Sequence, residues 1–291
     1  LGEAEVMAAA GVKGIMIANE IVGSIKTRRL AALCRQSPVI VAVDSLDNAR
    51  ELAGAAREVG STIRVVIEVD LGSKRAGVQP GQMGLELARE ITGLDGLKFV
   101  GVMGWEGHTR RVKDPVLRKQ AVEQSVGLLV ETARLCRASG IPVEIVSCGG
   151  TGTEEFSSLV PGVTEIQAGG IVFNDVFYME LGVKTEPALT VLSTVSSRPA
   201  PATVTTDAGK KTMSMDVAFP RPLGLEAAAV RLSAEHSTID LKEPSDLRAG
   251  DKVEWLVGYA DTTVHLHDEV YGIRNGRVET VWAVAGRGKT R

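Results

Sequence analysis

Up to about residue 195 the chain alternates short β-branched runs with stretches whose apolar positions recur every three or four residues. That alternation is expected of repeated βα units around a parallel sheet. The runs predict strands at Gly14–Ala18, Val39–Val43, Ile63–Val69, Leu97–Met103, Val143–Ser147, Val163–Gln167 and Ala188–Thr194. An unbroken run such as Val39-Ile40-Val41-Ala42-Val43 suits a sheet covered on both faces. Asp114-Pro115 opens a long helix that runs to Ser139 and stops at Gly140, ahead of Pro142. Polar and glycine-rich residues gather just past the strand ends, at Asp70-Leu71-Gly72, Gly104-Trp105-Glu106, Cys148-Gly149-Gly150 and Ala168-Gly169-Gly170. In a βα barrel those are the loops of the active-site face. Beyond residue 195 the pattern changes to alternating strands at Val253–Val257, Thr263–Leu266 and Val278–Val284, with Arg274-Asn275-Gly276-Arg277 as a hairpin turn. The fold expected is α/β: a (β/α)8 TIM-type barrel over residues 1–190, followed by a mainly-β domain over residues 191–291. Seven strands leave such a barrel one short, and Leu1 leads straight into the helix-like run Glu3–Ala10, so the first strand is expected upstream of Leu1.

Composition narrows the class. With 291 residues, 44% of them hydrophobic, the chain can bury a large core. A formal charge of −3 provides no broad positive field, so neither nucleic acid nor a membrane surface is an expected partner. No apolar run approaches the roughly 20 residues that span a bilayer, and no basic-then-apolar leader opens the sequence. Cys34, Cys136 and Cys148 are odd in number and far apart, which argues against a disulfide framework or a thiolate zinc site and for a reducing cytoplasm. Chemistry on a small molecule is the expectation that remains.

Four segments could carry it. Ser147-Cys148-Gly149-Gly150-Thr151-Gly152-Thr153 lies between a strand and a helix and suits a phosphate cradle, or else a tight turn with a threonine cap. A second glycine turn, Gln167-Ala168-Gly169-Gly170, follows one βα unit later, the usual layout of a phosphate site in this architecture. In Glu68–Val78, Arg75 is a fixed cation able to hold a phenolate ionised, or a partner in a surface salt bridge. In Trp105-Glu106-Gly107-His108 the indole could stack on a flat ring and the imidazole could move protons, or both could be structural. His236, His265 and His267 lie among carboxylates in the β half, where they could bind a metal, shuttle protons or line a solvated face; His265 and His267 would share one face of a strand.

Taken together, the segments GEAEVMAAAGVKGIMIANEIV, EVDLGSKRAGV, WEGH, SCGGTGT, EIQAGGIVFND, DAGKKTMSMD, AEHS and ADTTVHLHD resemble, nearly end to end, the D-threonine aldolase and D-serine dehydratase family of fold-type III pyridoxal-phosphate enzymes. The resemblance implies an alanine-racemase-like barrel, pyridoxal 5'-phosphate as cofactor, a hydroxy amino acid as substrate and a homodimer. It implies that Gly150, Thr151, Gly152 and Thr153, with Gly169 and Gly170, hold the phosphate, that Arg75 faces the phenolic oxygen, and that Trp105 stands beside the ring where the family has tyrosine. His108, Tyr259 and Asp261 are the catalytic candidates it suggests. The family's divalent ion (Mn, Mg or Zn) falls at Asp261, where Tyr259 replaces the usual histidine partner. Its Schiff-base lysine belongs to a His-x-Lys-Thr motif that residues 1–291 do not contain, so that lysine, too, is expected upstream. The implied activity is aldolase-like cleavage of β-hydroxy D-amino acids to glycine and an aldehyde. The alternatives are a D-serine or 3-hydroxyaspartate dehydratase, an amino-acid racemase and a non-catalytic pyridoxal-phosphate binder.

Overall fold

The apolar runs of the first half pair side by side in the order in which they occur. In the computed structural model, which describes residues 1–290, β1 (Ile15–Glu20), β2 (Val39–Val43), β3 (Ile63–Glu68), β4 (Leu97–Met103), β5 (Ile145–Cys148) and β6 (Glu165–Ile166) form one six-stranded parallel sheet. The helices α1 (Gly2–Ala9), α2 (Ser24–Cys34), α3 (Leu46–Val59), α4 (Gln82–Thr92), α5 (Pro115–Ala138) and α6 (Glu154–Ser157) alternate with them. Every residue of β2 is buried, as its unbroken apolar run requires. Its side chains divide by the period of two: Val39, Val41 and Val43 join Leu30, Leu52, Ile91 and Val126 in the main core, whereas Ile40 and Ala42 join Val66, Val100 and Met103 in a second one. Each such buried aliphatic side chain contributes about 1.5–3 kcal/mol, so both faces of the sheet are stabilised.

Helix ends follow their signals. The Asp114 carboxylate accepts hydrogen bonds from Val116 N and Leu117 N, each at 2.9 Å, and Pro115 occupies the first turn of α5. Ser45 caps the start of α3, and Gly60, at φ 66, closes its end in the left-handed conformation that glycine adopts without strain.

Residues Leu1–Ala168, with Gly288–Thr290, form one compact unit, and Gly169–Arg287 form another. The second unit contains the short α7 (Val176–Glu180) and the strands β7 (Thr190–Ala200), β8 (Thr203–Thr206), β9 (Arg221–Pro222), β10 (Ala227–Leu232), β11 (Ser237–Leu241) and β12 (Lys252–Leu256). These strands form an antiparallel sheet in the order β10-β11-β8-β7-β12-β9. Its core is Val195, Val204, Met213, Ile239 and Trp255, with Trp255 Nε1 donating to Ser193 Oγ at 2.9 Å. A separate hairpin pairs β13 (Glu269–Arg274) with β14 (Arg277–Ala283). It turns at Asn275 (φ 50) and Gly276 (φ 71), the two positive φ values that a tight hairpin turn needs. None of the described helices is long and apolar enough to cross a membrane.

Two expectations are corrected. The strand predicted at Ala188–Thr194 is not a seventh parallel strand; it falls largely within β7, paired antiparallel to β12 and β8. Its burial shows why, since Ser193 and Val195 are buried while Leu192 is exposed, the alternation of a half-covered antiparallel strand. The strand predicted at Thr263–Leu266 overlaps the helix α8 (Ala260–Val264), with His265 at its C-cap, so His265 and His267 do not share a strand face. The Asp175 carboxylate accepts the Ala260 N–H at 2.8 Å and Thr263 Oγ1 donates to Tyr259 O at 2.7 Å, and these bonds favour a helical turn over the extended run that Thr262-Thr263-Val264 suggests.

Candidate active site

In the first unit, three loops that follow β3, β4 and β5 meet. The loop after β3 is shaped by Asp70, whose Oδ1 accepts from Gly72 N at 2.9 Å and Lys74 N at 3.0 Å. It presents Arg75, whose guanidinium carbon lies 4.9 Å from the centre of the Trp105 ring, and Arg110 approaches the same indole at 4.9 Å. Such cation–π pairs hold a tryptophan ring and a guanidinium in register. The indole also abuts the glycine loop, since a Cβ at Gly150 would lie only 2.5 Å from Trp105 Nε1. Glycine is therefore required there. Arg75, Trp105 and Gly150–Thr153 are thus brought together. His108 packs on Gly72, where a Cβ would lie 2.9 Å from its ring, and its Nδ1 is buried without a partner.

The loop after β5 is held from its buried side by Glu106. This carboxylate has no exposed surface, and both of its oxygens accept hydrogen bonds. Oε1 accepts from Thr153 Oγ1 and from Ser157 Oγ, both at 2.6 Å, and Oε2 accepts from Gly149 N at 3.3 Å. Three donors satisfy a buried carboxylate that would otherwise be very costly. Thr153 Oγ1 in turn accepts from Gly150 N at 3.0 Å. The Thr151 hydroxyl is different: it is buried and has no partner. The sequence places Glu106 inside the Trp105–His108 motif but assigns it no role, because nothing in it shows which side of the strand end Glu106 takes.

Near Arg75 the ends of β1 and β3 enclose a cavity of about 300 Å3 lined by Ala18, Asn19, Glu20, Glu68, Arg75 and Ala76. Burial, then the charge of Glu20 and a hydrogen bond with it, push the Glu68 carboxyl up to about 7, with Arg75 pulling the other way and Asp44 adding to the rise. Arg75 Nη2 stands 3.9 Å from Glu68 Oε1, a loose ion pair. Burial, then the charge of Glu106, push the Cys148 thiol up to about 12, so it is a packing residue and not a nucleophile.

The second unit contains the other predicted residues. Gly169 and Gly170 form the first turn of that unit, with Asn174 N donating to Gly170 O at 3.0 Å. A Cβ at Gly170 would run into the Tyr178 ring. Phe177, Tyr178 and Tyr259 pack ring against ring, the Tyr178 and Tyr259 centroids 6.0 Å apart. Tyr259 donates its hydroxyl hydrogen to Asp261 Oδ2 at 2.9 Å. Burial and its hydrogen bonds to Asp261 and Tyr178 push the Tyr259 phenol above its ordinary range, so it remains a donor. Asp175 fixes this corner, accepting Tyr178 N with one oxygen at 2.9 Å and Ala260 N with the other at 2.8 Å. Among the described residues no three His, Cys, Asp or Glu side chains converge as a metal ion would require, and the His267 ring lies 2.9 Å from Thr212 O.

The chain is similar to known proteins along nearly its whole length. Residues 1–175 match the family model for the alanine racemase N-terminal domain, and residues 188–273 match one for a serine dehydratase domain. The chain is 32% identical over 300 residues to a 3-hydroxy-D-aspartate aldolase of Paracoccus denitrificans (strain Pd 1222), covering 99% of this chain and 77% of the relative. It is 32% identical over 299 residues to a D-threonine aldolase of an Arthrobacter species, covering 100% of this chain and 78% of the relative. The solved structure of D-threonine aldolase from Filomicrobium marinum superposes with a TM-score of 0.96 at 32% identity, covering 100% of this chain and 80% of that one. With its barrel-type parallel sheet, its antiparallel second unit and these relatives, the chain belongs to the D-threonine aldolase and D-serine dehydratase family, pyridoxal-phosphate enzymes with the alanine-racemase-like fold.

Proposed function

We propose that this chain serves an aldolase-like lyase that cleaves β-hydroxy D-amino acids to glycine and an aldehyde. The observation that carries the proposal is the meeting of Arg75, Trp105 and the Gly150–Thr153 loop, with the Thr151 hydroxyl buried there unpaired. Those residues fit pyridoxal phosphate. An orphaned donor in a loop that a Cβ would obstruct is what a bound phosphate group uses, and a guanidinium that keeps its proton suits a phenolate. When bound, the cofactor supplies an electron sink for the pair released at Cα.

The chain's own residues do the rest. Arg75 would hold the cofactor's phenolic oxygen ionised, Trp105 would flank the ring, and the glycine loop would anchor the phosphate. In the second unit Asp261 is the group proposed to take the proton of the substrate β-hydroxyl as the Cα–Cβ bond breaks, with Tyr259 orienting it through their hydrogen bond. A divalent ion at Asp261 does not fit the donor set, because the phenol beside it is a neutral donor already bonded to that carboxylate. His108, with its unpaired Nδ1, remains the candidate for a second proton-moving group.

A dehydratase reading is favoured by the match of residues 188–273 to a serine dehydratase domain. There the Cα–H bond breaks and the Tyr259 hydroxyl would protonate the departing hydroxide. The proposal includes a homodimer in the cytoplasm; the exposed apolar side chains Tyr271, Ile273, Val281 and Trp282 on the β13–β14 hairpin support the dimer. Incubating the intact gene product with D-threonine and with D-serine, and measuring acetaldehyde against pyruvate, decides between the two reactions. Acetaldehyde from D-threonine supports the aldolase; turnover of neither substrate refutes both.

A further inference from the structure

The glycine loop after β5 contains two threonines, and its phosphate-binding role is the reading on which this inference rests. They are chemically alike but differently committed. Thr153 Oγ1 gives its hydrogen to Glu106 at 2.6 Å and accepts from Gly150 N at 3.0 Å, and Thr153 N donates to Gly150 O at 2.9 Å. Its donors are spent inside the protein. Thr151 Oγ1 has no partner, although Thr151 is only 4% exposed.

Glu106 stands on the Thr153 side of this difference. All three of its contacts come from donors on or beside the loop, one backbone N–H and two hydroxyls, so both of its oxygens act as acceptors. Gly149, whose N–H it takes, has φ 78, and Gly152 has φ 92, so the loop passes twice through conformations that ordinary residues avoid. A buried anion that gathers Gly149, Thr153 and Ser157 to one point holds the loop in that shape when nothing occupies the other side. It is the kind of supporting contact that fixes a binding residue's position without touching the ligand.

We propose that Glu106 is the positioning residue of the phosphate cradle: by accepting hydrogen bonds from Thr153, Ser157 and Gly149 it fixes the loop and leaves Thr151 as the threonine hydroxyl available to the cofactor's phosphate. Glu106 touches no reacting atom in this scheme. Its effect is confined to the phosphate end of the cofactor.

The test compares pyridoxal 5'-phosphate with pyridoxal, which lacks the phosphate, as ligands of the intact gene product, by absorbance titration. Wild-type protein should bind the phosphorylated form far more tightly. Absence of any preference would refute the phosphate-binding reading and this inference with it. In Glu106→Gln the amide can keep the two hydroxyl donors but turns an N–H toward Gly149 N. It should weaken the phosphorylated ligand about tenfold, the cost of one charge-assisted hydrogen bond, and leave pyridoxal within about twofold. Equal weakening of both ligands would make Glu106 merely structural and overturn the inference, as would an unchanged preference. If Glu106→Gln does not fold, Ser157→Ala removes one donor to Glu106 without altering the loop itself. It should reduce the preference about threefold, and an unchanged preference in that variant overturns the inference as well.

Discussion

Replacing Thr151 with valine separates stability from binding. The side chain keeps its shape while a buried hydroxyl without a partner becomes a methyl group. Burying a hydroxyl with no hydrogen bond costs about 1–3 kcal/mol in proteins. Part of that is recovered when the hydroxyl goes, so Thr151→Val should stabilise the cofactor-free protein by about 1 kcal/mol, a rise in melting temperature of about 2–4 °C for a unit of this size. The same change removes a donor from the cradle, so the affinity for pyridoxal phosphate should fall about tenfold, equivalent to 1.4 kcal/mol. Thermal melting without cofactor and absorbance titration with it measure the two effects on one preparation. A loss of stability without cofactor would mean that the hydroxyl has a partner in the protein, and an unchanged affinity would mean that it does not meet the phosphate. Either result refutes the reasoning. Thr153→Val is the contrast: it strands Gly150 N and takes one donor from Glu106, so it should destabilise the cofactor-free protein by about 2–3 kcal/mol.

Two further outcomes are expected. Glu68 is pushed up to about 7 in the folded protein from an ordinary 4.5, so between these values the folded state binds more protons than the unfolded one. Stability should therefore fall as pH rises through that window, and Glu68→Gln should flatten the slope in denaturant melts from pH 4.5 to 7.5; an unchanged slope would show that Glu68 is not its source. In the intact gene product Asp261→Asn should lower kcat for D-threonine by about 10² or more while the affinity for pyridoxal phosphate stays within about twofold, and a kcat near wild type would remove Asp261 from proton transfer.

Much of the fold was legible because the barrel half obeys local rules. Val39–Val43 is apolar at every position and is buried at every position, and Asp114-Pro115 and Gly60 stand where α5 begins and α3 ends. The failures came where distant partners decide. Thr262-Thr263-Val264 has the β-branched character of a strand, but a carboxylate 85 residues away accepts the N–H of Ala260 and a helix forms. The start of β7 reads as one more apolar run, and only its antiparallel neighbours assign it to the second sheet. In the site, glycines, arginine and tryptophan were legible as residue types at strand ends. Glu106 was not, since nothing local to it in the sequence shows that three donors from a later loop and helix meet it in the interior.

Asp175 has a consequence for how the second unit can fail. The helices α7 and α8 are five residues each, too short to persist in water unaided, and this single side chain is bonded to a backbone N–H near the start of both. The corner containing Tyr259 and Asp261 therefore shares one carboxylate between its two short helices, beside the backbone bonds from Val176 and Phe177 and the packed rings. Loss of that side chain unties both helix starts at once, so a substitution at position 175 should disturb Tyr259 and Asp261 together although it touches neither of their side chains.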